Sequence, residues 1–451
     1  MIRLNELRIQ NFRCIREGVI TFSRDVTILV ADNGIGKTTV LDAIALVLAQ
    51  FVDEFTQAKQ SPGLRQSDVR LEKDIEGHQT PRTPTVLQVF TDLNGRRVNW
   101  TGRRKLHAET PRRSLIDVAS IVAVTNELRA SISRDTSAKH DVVLPLVAYY
   151  RSNRFALNNF FGSSELRRIR TLDGRLSGYR IYLDPLSDSL HFNKWYRRMF
   201  LAVKNHPVTG AYRSDSYLQQ LTAVNEAVEH VLESTGWRQI DWDETEKCVV
   251  AHHPDHGELP LSMLSSGIRT TIALIADLAH RCARLNPLLG PNIAKLTPGV
   301  VLIDEVDLHL HPAWQQLIVD LLRTAFPAVQ FILSTHSPQV LSTVDSSEIR
   351  VIKLQAGMAE MKSPLLQTRG VESADVLARV MEVDPIPEVE QAEWLSSYRA
   401  MVQFGNHESE AGNALWQQLL NHFGKVHPVL TEIDVVRRLQ DFKRSNGIRL
   451  N

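Results

Sequence analysis

The chain has 451 residues, a formal net charge of +1 at pH 7 and 43% hydrophobic residues, so it is longer than one hydrophobic core usually supports and two or three lobes are expected. The balanced charge excludes nucleic-acid binding driven by the overall field and leaves only local patches for it. Three dispersed cysteines, Cys14, Cys248 and Cys282, exclude a disulfide framework, and no stretch reaches the roughly 18 apolar residues of a membrane span, so a reducing, cytoplasmic location with no membrane partner is expected.

Residues 1 to 30 alternate apolar and polar in "IRLNELRIQNF", "GVITF" and "VTILV", which predicts short strands. "ADNGIGKTT" follows the last of them, and Val40, Leu41, Ile44, Val47 and Leu48 then take up a helical period. From 50 to 145 strands at "TVLQVFTDL" and "RRVNW" predict a β-rich arm, followed by a helix near "LIDVASIVAVTNELRASI". Residues 155 to 235 read as helical, with Phe192, Trp195, Tyr196, Met199 and Phe200 on one face as a core stripe. A hairpin at "EKCVVAHHPDHGELPLSM" turns at "PDHG". The strands "VVLID" and "VQFILSTH" flank a helical "PAWQQLIVDLLRTAF", a pattern of parallel strands buried on both faces. Only helical patterns follow residue 370. The expected fold is an α/β head, with a mixed sheet, flanking helices and a β-rich arm, plus a helical insertion and a helical appendage. Its divisions are expected at 1–155 and 241–365 for the two parts of the head, 156–240 for the insertion and 366–451 for the appendage.

Strand, Gly-rich loop and helix in that order form a phosphate cradle. Backbone N–H groups from Asn33 to Thr38 can converge on a β-phosphate, with Thr39 beside them in the first helical turn. Gly34 and Gly36 allow close approach, Lys37 reaches the β- and γ-oxygens, and Thr38 offers a hydroxyl to Mg²⁺. "VVLIDE" places Asp304 and Glu305 at the carboxyl end of a buried strand, where α/β sheets put their ligands. Asp304 is suited to hold Mg²⁺ and Glu305 to polarise the attacking water. His336, ending "STH" on the next strand, is placed to reach the γ-phosphate.

"LSSG", Leu264 to Gly267, precedes a further helix. With "NFR" near the amino terminus, "ADNGIGKTT", "LIDEVDLHLHP" and "STHSP" in this order, the set resembles the ABC-type ATPases of the SMC and RecF kind. That resemblance implies ATP hydrolysis by a homodimer, two heads clasping two ATP molecules, with Ser265, Ser266 and Gly267 acting on the γ-phosphate held by the other subunit. Asp307 matches the loop that crosses such an interface, and the segment near Tyr149-Tyr150-Arg151 occupies the place of the family's glutamine loop. "LPLVAYYRSNR", "LSGYRIYLDPLSDSLHFNKWYRRM" and "TRGVESADVLARVMEVDP" are similar to the PtuA ATPases of Septu and retron-associated anti-phage systems. This implies work with a separate HNH-type nuclease, and in some systems with a retron RNA–DNA product.

Arg96, Arg97, Arg103, Arg104, Lys105, Arg112 and Arg113, with Trp100 among them, form a basic segment over 96–113 suited to a DNA or RNA–DNA backbone. Arg167, Arg168, Arg170 and Arg175 form a weaker one. Cys248, His252, His253 and His256 lack paired zinc spacing and read as a turn, and His309 and His311 read as an extended segment without metal. The missing heptad arms exclude a full SMC protein, and the tail lacks the acidic clusters of a fused nuclease. A RecF-like repair clamp, or an ATP-gated scaffold with little turnover, is the alternative reading.

Overall fold

The computed structural model describes residues 2–445 apart from 33, 59–60, 62, 75, 105–114, 118, 135–141, 153–173, 184–188 and 206–211. Asn33, Lys105, Arg112, Arg113, Arg167, Arg168 and Arg170 therefore lie outside the described residues. Two compact units are separated at Met381/Glu382.

In the first unit the described strands are β1 Ile2–Phe12, β2 Ile15–Thr21, β3 Val26–Val30, β4 Leu71–Lys73, β5 Gln79–Pro81, β6 Thr85–Leu93, β7 Arg96–Arg104, β8 Leu115–Asp117, β9 Leu146–Tyr150, β10 Ile240–Asp243, β11 Cys248–His253, β12 Gly257–Pro260, β13 Gly299–Ile303, β14 Val329–Ser334, β15 Ile349–Gln355 and β16 Met358–Lys362. Among the described residues eleven of them form one sheet in the order β8-β7-β6-β1-β2-β16-β15-β3-β14-β13-β9. Its β15-β3-β14-β13-β9 end is parallel, and β3, β9, β13 and β14 are buried along their whole lengths. Helices cover both faces of such strands, which is why they read as unbroken apolar runs. The β1, β2, β6, β7 and β8 end is antiparallel, and β6 alternates in burial along its length.

That alternation decides the environment of the basic segment. Val98 and Trp100 point inward from β7, and the Trp100 indole N–H donates to the Val47 carbonyl at 3.0 Å on the helix Lys37–Thr56. Trp100 is thus core, joining the arm to that helix.

The helices Ser189–Asn205 and Tyr212–Leu232 pack into the same core as the sheet rather than standing apart from it. Trp195, Tyr196 and Met199 are buried, and the Trp195 ring lies 4.6 Å from that of His280 on the helix Ser266–Leu285. The aromatic stripe is therefore packing. β10, β11 and β12 form a separate small antiparallel sheet.

In the second unit the helices Glu390–Gln403, Glu410–Phe423 and Pro428–Ser445 bury Tyr398, Val402, Leu419, Leu430 and Ile433. Tyr398 stacks on Trp416 with centroids 4.9 Å apart. Among the described residues, His407, Glu408 and Asp441 of this unit form the group whose ligand atoms come within 4.8 Å of one another, and His407 Nε2 lies 3.0 Å from Asp441 Oδ1.

Candidate nucleotide site

The parallel register brings the carboxyl ends of β3, β13 and β14 to one edge of the sheet. After β3 the chain turns through Gly34 (φ 79°) and Gly36 (φ 112°) into the helix beginning at Lys37. The left-handed backbone angle favours glycine at Gly36, and a Cβ there would also crowd the Cys14 sulfur at 3.1 Å. This helix has no side-chain cap and no acid in its first turn. Its first N–H groups, including those of Lys37, Thr38 and Thr39, have no intrahelical acceptor and suit an anion.

Lys37 is buried, and its Nζ donates to the Ala31 carbonyl at 2.6 Å. Burial lowers the ammonium below its ordinary value, against the opposing pull of Asp304, Glu305, Asp32 and Asp307. Thr38 Oγ1 donates to Asp304 Oδ2 at 2.9 Å across 266 residues of sequence. Asp304 is 1% exposed, and its other oxygen accepts from Ser334 Oγ at 2.5 Å. A hydroxyl and a carboxylate this close are the donor set of a hard divalent cation that keeps several waters, so the residues fit Mg²⁺.

Glu305 takes a left-handed backbone conformation (φ 49°), and its N–H donates to Ser334 Oγ at 2.8 Å. Its side chain is half-buried at the sheet edge rather than in the core. Asp307 accepts from Thr335 Oγ1 at 2.6 Å, a bond that ties the segments following β13 and β14. His336 is half-buried. Burial, and then the charge of Lys37, lower its imidazole below the ordinary value, partly offset by Asp307, Glu305 and Asp304. Residues 305–310 form turns, with Leu308 N–H on Glu305 O and Leu310 N–H on Asp307 O, both at 3.0 Å. The expected extended segment through His309 and His311 is therefore replaced by a turn in which His309 is left-handed (φ 64°), while His311 caps the short helix Pro312–Gln315.

Ser265 is the N-cap residue of Ser266–Leu285, yet its side chain does not close the cap. Ser265 and Ser266 are exposed, Leu264 is buried beneath them, and a Cβ on Gly267 would stand 3.1 Å from the His309 carbonyl. The "LSSG" turn therefore rests on the turn that follows Asp304 and Glu305.

A family model described as "AAA domain, putative AbiEii toxin, Type IV TA system" matches residues 65–342, and one described as "AAA ATPase domain" matches residues 2–82. The chain belongs to this AAA family. Relatives of this AAA protein include the Retron Ec83 probable ATPase of Escherichia coli, 26% identical over 98% of this chain and 89% of that one. The Retron Vc95 probable ATPase of Vibrio cholerae serotype O1 biovar El Tor is 26% identical over 90% of this chain and 85% of its own. The Septu protein PtuA of Bacillus mycoides (strain KBAB4) is 38% identical over 20% of this chain and 12% of its own. A solved SMC head domain from Thermotoga maritima is similar at a TM-score of 0.43 and 15% identity, over 81% of this chain and all of that one.

Elsewhere on the AAA protein, Arg97 and Arg103 are exposed on β7, Arg96 pairs with Glu127 at 3.1 Å, and Arg104 donates to the Leu64 carbonyl at 2.6 Å. Arg175 donates to the Leu285 and Val142 carbonyls at 2.7 and 2.6 Å, which makes it a structural tie. The His253 ring packs tilted on that of His256 and edge-on against Trp237, at centroid distances of 4.4 and 5.0 Å, while His252 pairs with Glu258 at 3.3 Å. This is a packed hairpin. No helix among the described residues is long and apolar enough to cross a membrane.

The hydrogen bonds from Ser334 to Asp304 and from Thr335 to Asp307, and the pairing of Asp42 with Arg13 and Arg151, are not among the features expected from the sequence. The signal for the second was available: an acid inside the apolar run of a helix needs cations.

Proposed function

We infer that this AAA protein binds ATP with Mg²⁺ in the cradle after β3 and hydrolyses it. The observation that carries this reading is the Thr38–Asp304 hydrogen bond at 2.9 Å, which unites the loop hydroxyl and the strand-end carboxylate from opposite ends of the sequence. Gly34, Gly36 and the uncapped helix N-terminus, with Asn33, receive the phosphates, and Lys37 exchanges the Ala31 carbonyl for phosphate oxygen. Thr38 and Asp304 hold Mg²⁺, which when bound supplies charge neutralisation to the β- and γ-oxygens. Glu305 orients and deprotonates water, and His336, kept neutral near pH 7 by burial and Lys37, donates a hydrogen bond to the γ-phosphate.

Two copies acting as a homodimer complete each site. Support comes from Ser265 and Ser266, exposed at an uncapped helix start where an anion from another copy can bind, with Gly267 beside them and Asp307 in the adjoining turn. In this reading the γ-phosphate favours the closed pair, and its loss releases it. Similarity to the retron ATPases and to PtuA supports a role in anti-phage defence, in which opening and closing regulates a separate nuclease of the HNH type. DNA or an RNA–DNA product meets the exposed arginines of β7.

Glu305→Gln tests the core of the reading. It should retain ATP, stop phosphate release and accumulate a dimer by light scattering. A variant that stays monomeric with saturating ATP refutes the paired site, and one that still releases phosphate at the wild-type rate refutes the role of Glu305.

A further inference from the structure

β14 ends on Ser334, a hydroxyl at the close of a buried and mostly apolar strand, and this serine is 0% exposed. A hydroxyl taken out of water needs partners. The register pairs Ile303 with Leu333, and Ser334 with Leu29 of β3. It puts the serine between the strand that leads into the cradle and the strand that ends in the two acids.

One oxygen serves both acids. Ser334 Oγ lies 2.5 Å from Asp304 Oδ1 and 2.8 Å from the Glu305 nitrogen. The roles in these two bonds are forced: the Glu305 N–H can only donate, so the single hydroxyl proton goes to Asp304 and a lone pair receives the amide. A bond of that length to a carboxylate is of the charge-assisted, stronger kind. The Ser334 carbonyl adds a third tie, accepting from the Val306 N–H at 2.9 Å. Three successive residues after β13 are thus registered on one residue of β14.

With Oδ1 engaged by the serine, Oδ2 is the Asp304 oxygen that meets Thr38, at 2.9 Å. Asp304 is 1% exposed, so bulk water is not at hand to replace the serine. Glu305 takes a left-handed backbone (φ 49°), uncommon outside glycine, and its N–H bond to Ser334 fixes the turn there.

We propose that Ser334 is a positioning residue for both acids: its hydroxyl selects the Asp304 oxygen turned to Thr38 and the divalent cation, and the same atom holds the backbone that carries the Glu305 carboxylate. This rests on the nucleotide reading given above. The serine acts through the acids, so its removal reaches the metal-dependent steps and spares the phosphate cradle.

The test is calorimetry of ATPγS on the full chain, once with Mg²⁺ and once with EDTA, joined to phosphate release, for wild type, Ser334→Ala, Ser334→Thr and Lys37→Ala. Loss of one charge-assisted bond predicts that Ser334→Ala binds ATPγS roughly tenfold more weakly with Mg²⁺ and within about twofold of wild type with EDTA. Its phosphate release at saturating ATP and Mg²⁺ should also fall roughly tenfold, and Ser334→Thr, which keeps the hydroxyl, should recover both. Equal losses with and without Mg²⁺ make the serine a plain part of the fold and overturn the inference, as does an alanine variant with wild-type Mg²⁺ response or full turnover, while Lys37→Ala still abolishes binding. A wild type that binds ATPγS under neither condition overturns the nucleotide reading itself. Melting without nucleotide checks each fold. Should Ser334→Ala not fold, Ser334→Cys, close in volume and a weaker donor, must show the Mg²⁺-selective loss, and its absence there overturns the inference.

Discussion

The Lys37 ammonium rests on a neutral carbonyl, that of Ala31, while four carboxylates surround it. An anion taken up there would replace a weaker acceptor by a stronger one for an ammonium that is already buried. His336 responds to the same lysine. Because its folded value lies below the ordinary one of about 6.5, the unfolded chain takes up a proton that the folded chain refuses. Its contribution to stability is complete above the unfolded value and is lost as pH falls through the lower folded value. His336→Gln should reduce the loss of melting temperature between about pH 7 and pH 5; an unchanged acid slope would place that loss on other groups. At this scale the cradle and the Asp304–Glu305 pair are legible in the sequence, because each is a short local pattern fixed to a strand end. Ser334 and Thr335 are not, since their acceptors, Asp304 and Asp307, lie about thirty residues away and are met only through the pairing of β13 with β14.

Among the elements, the helix Ser266–Leu285 and the turn after β13 touch where Gly267 faces the His309 carbonyl. A side chain there has to displace backbone, not a flexible tip. Gly267→Val should cost about 1–3 kcal/mol in unfolding free energy and lower phosphate release more than it lowers ATP affinity, because it shifts the turn bearing Glu305 and Asp307. Full turnover with normal stability would show that the turn yields freely. The β-rich arm carries a complementary lesson in legibility. Trp100 stands among arginines in the text, but the period of two in β7 sends Trp100 inward while Arg97 and Arg103 remain outside. Composition alone groups those residues; the strand separates them. The insertion helices show the opposite limit, since their apolar faces are readable but the surface they cover, which includes His280, is not.

At the level of the whole molecule, the boundary at Met381/Glu382 leaves each unit with its own apolar core. The sequence marks the tail as helical, while the place of the boundary depends on which residues pack together. Truncation after Met381 should therefore leave ATP affinity within about twofold of the full chain. A larger loss, measured by calorimetry, would make the tail part of the nucleotide site. The order of the eleven strands is the least legible feature, because partners are chosen across hundreds of residues by register and burial.

β3 has a particular consequence. Its neighbours, β14 and β15, begin about 300 residues later, and Gln330 of β14 accepts from the Leu4 N–H at 2.8 Å. On the ribosome the strand leading into the cradle thus waits without either flank until almost the entire first unit has been synthesised. A copy that ends before β14 lacks both flanks of β3 and should therefore fail to retain nucleotide.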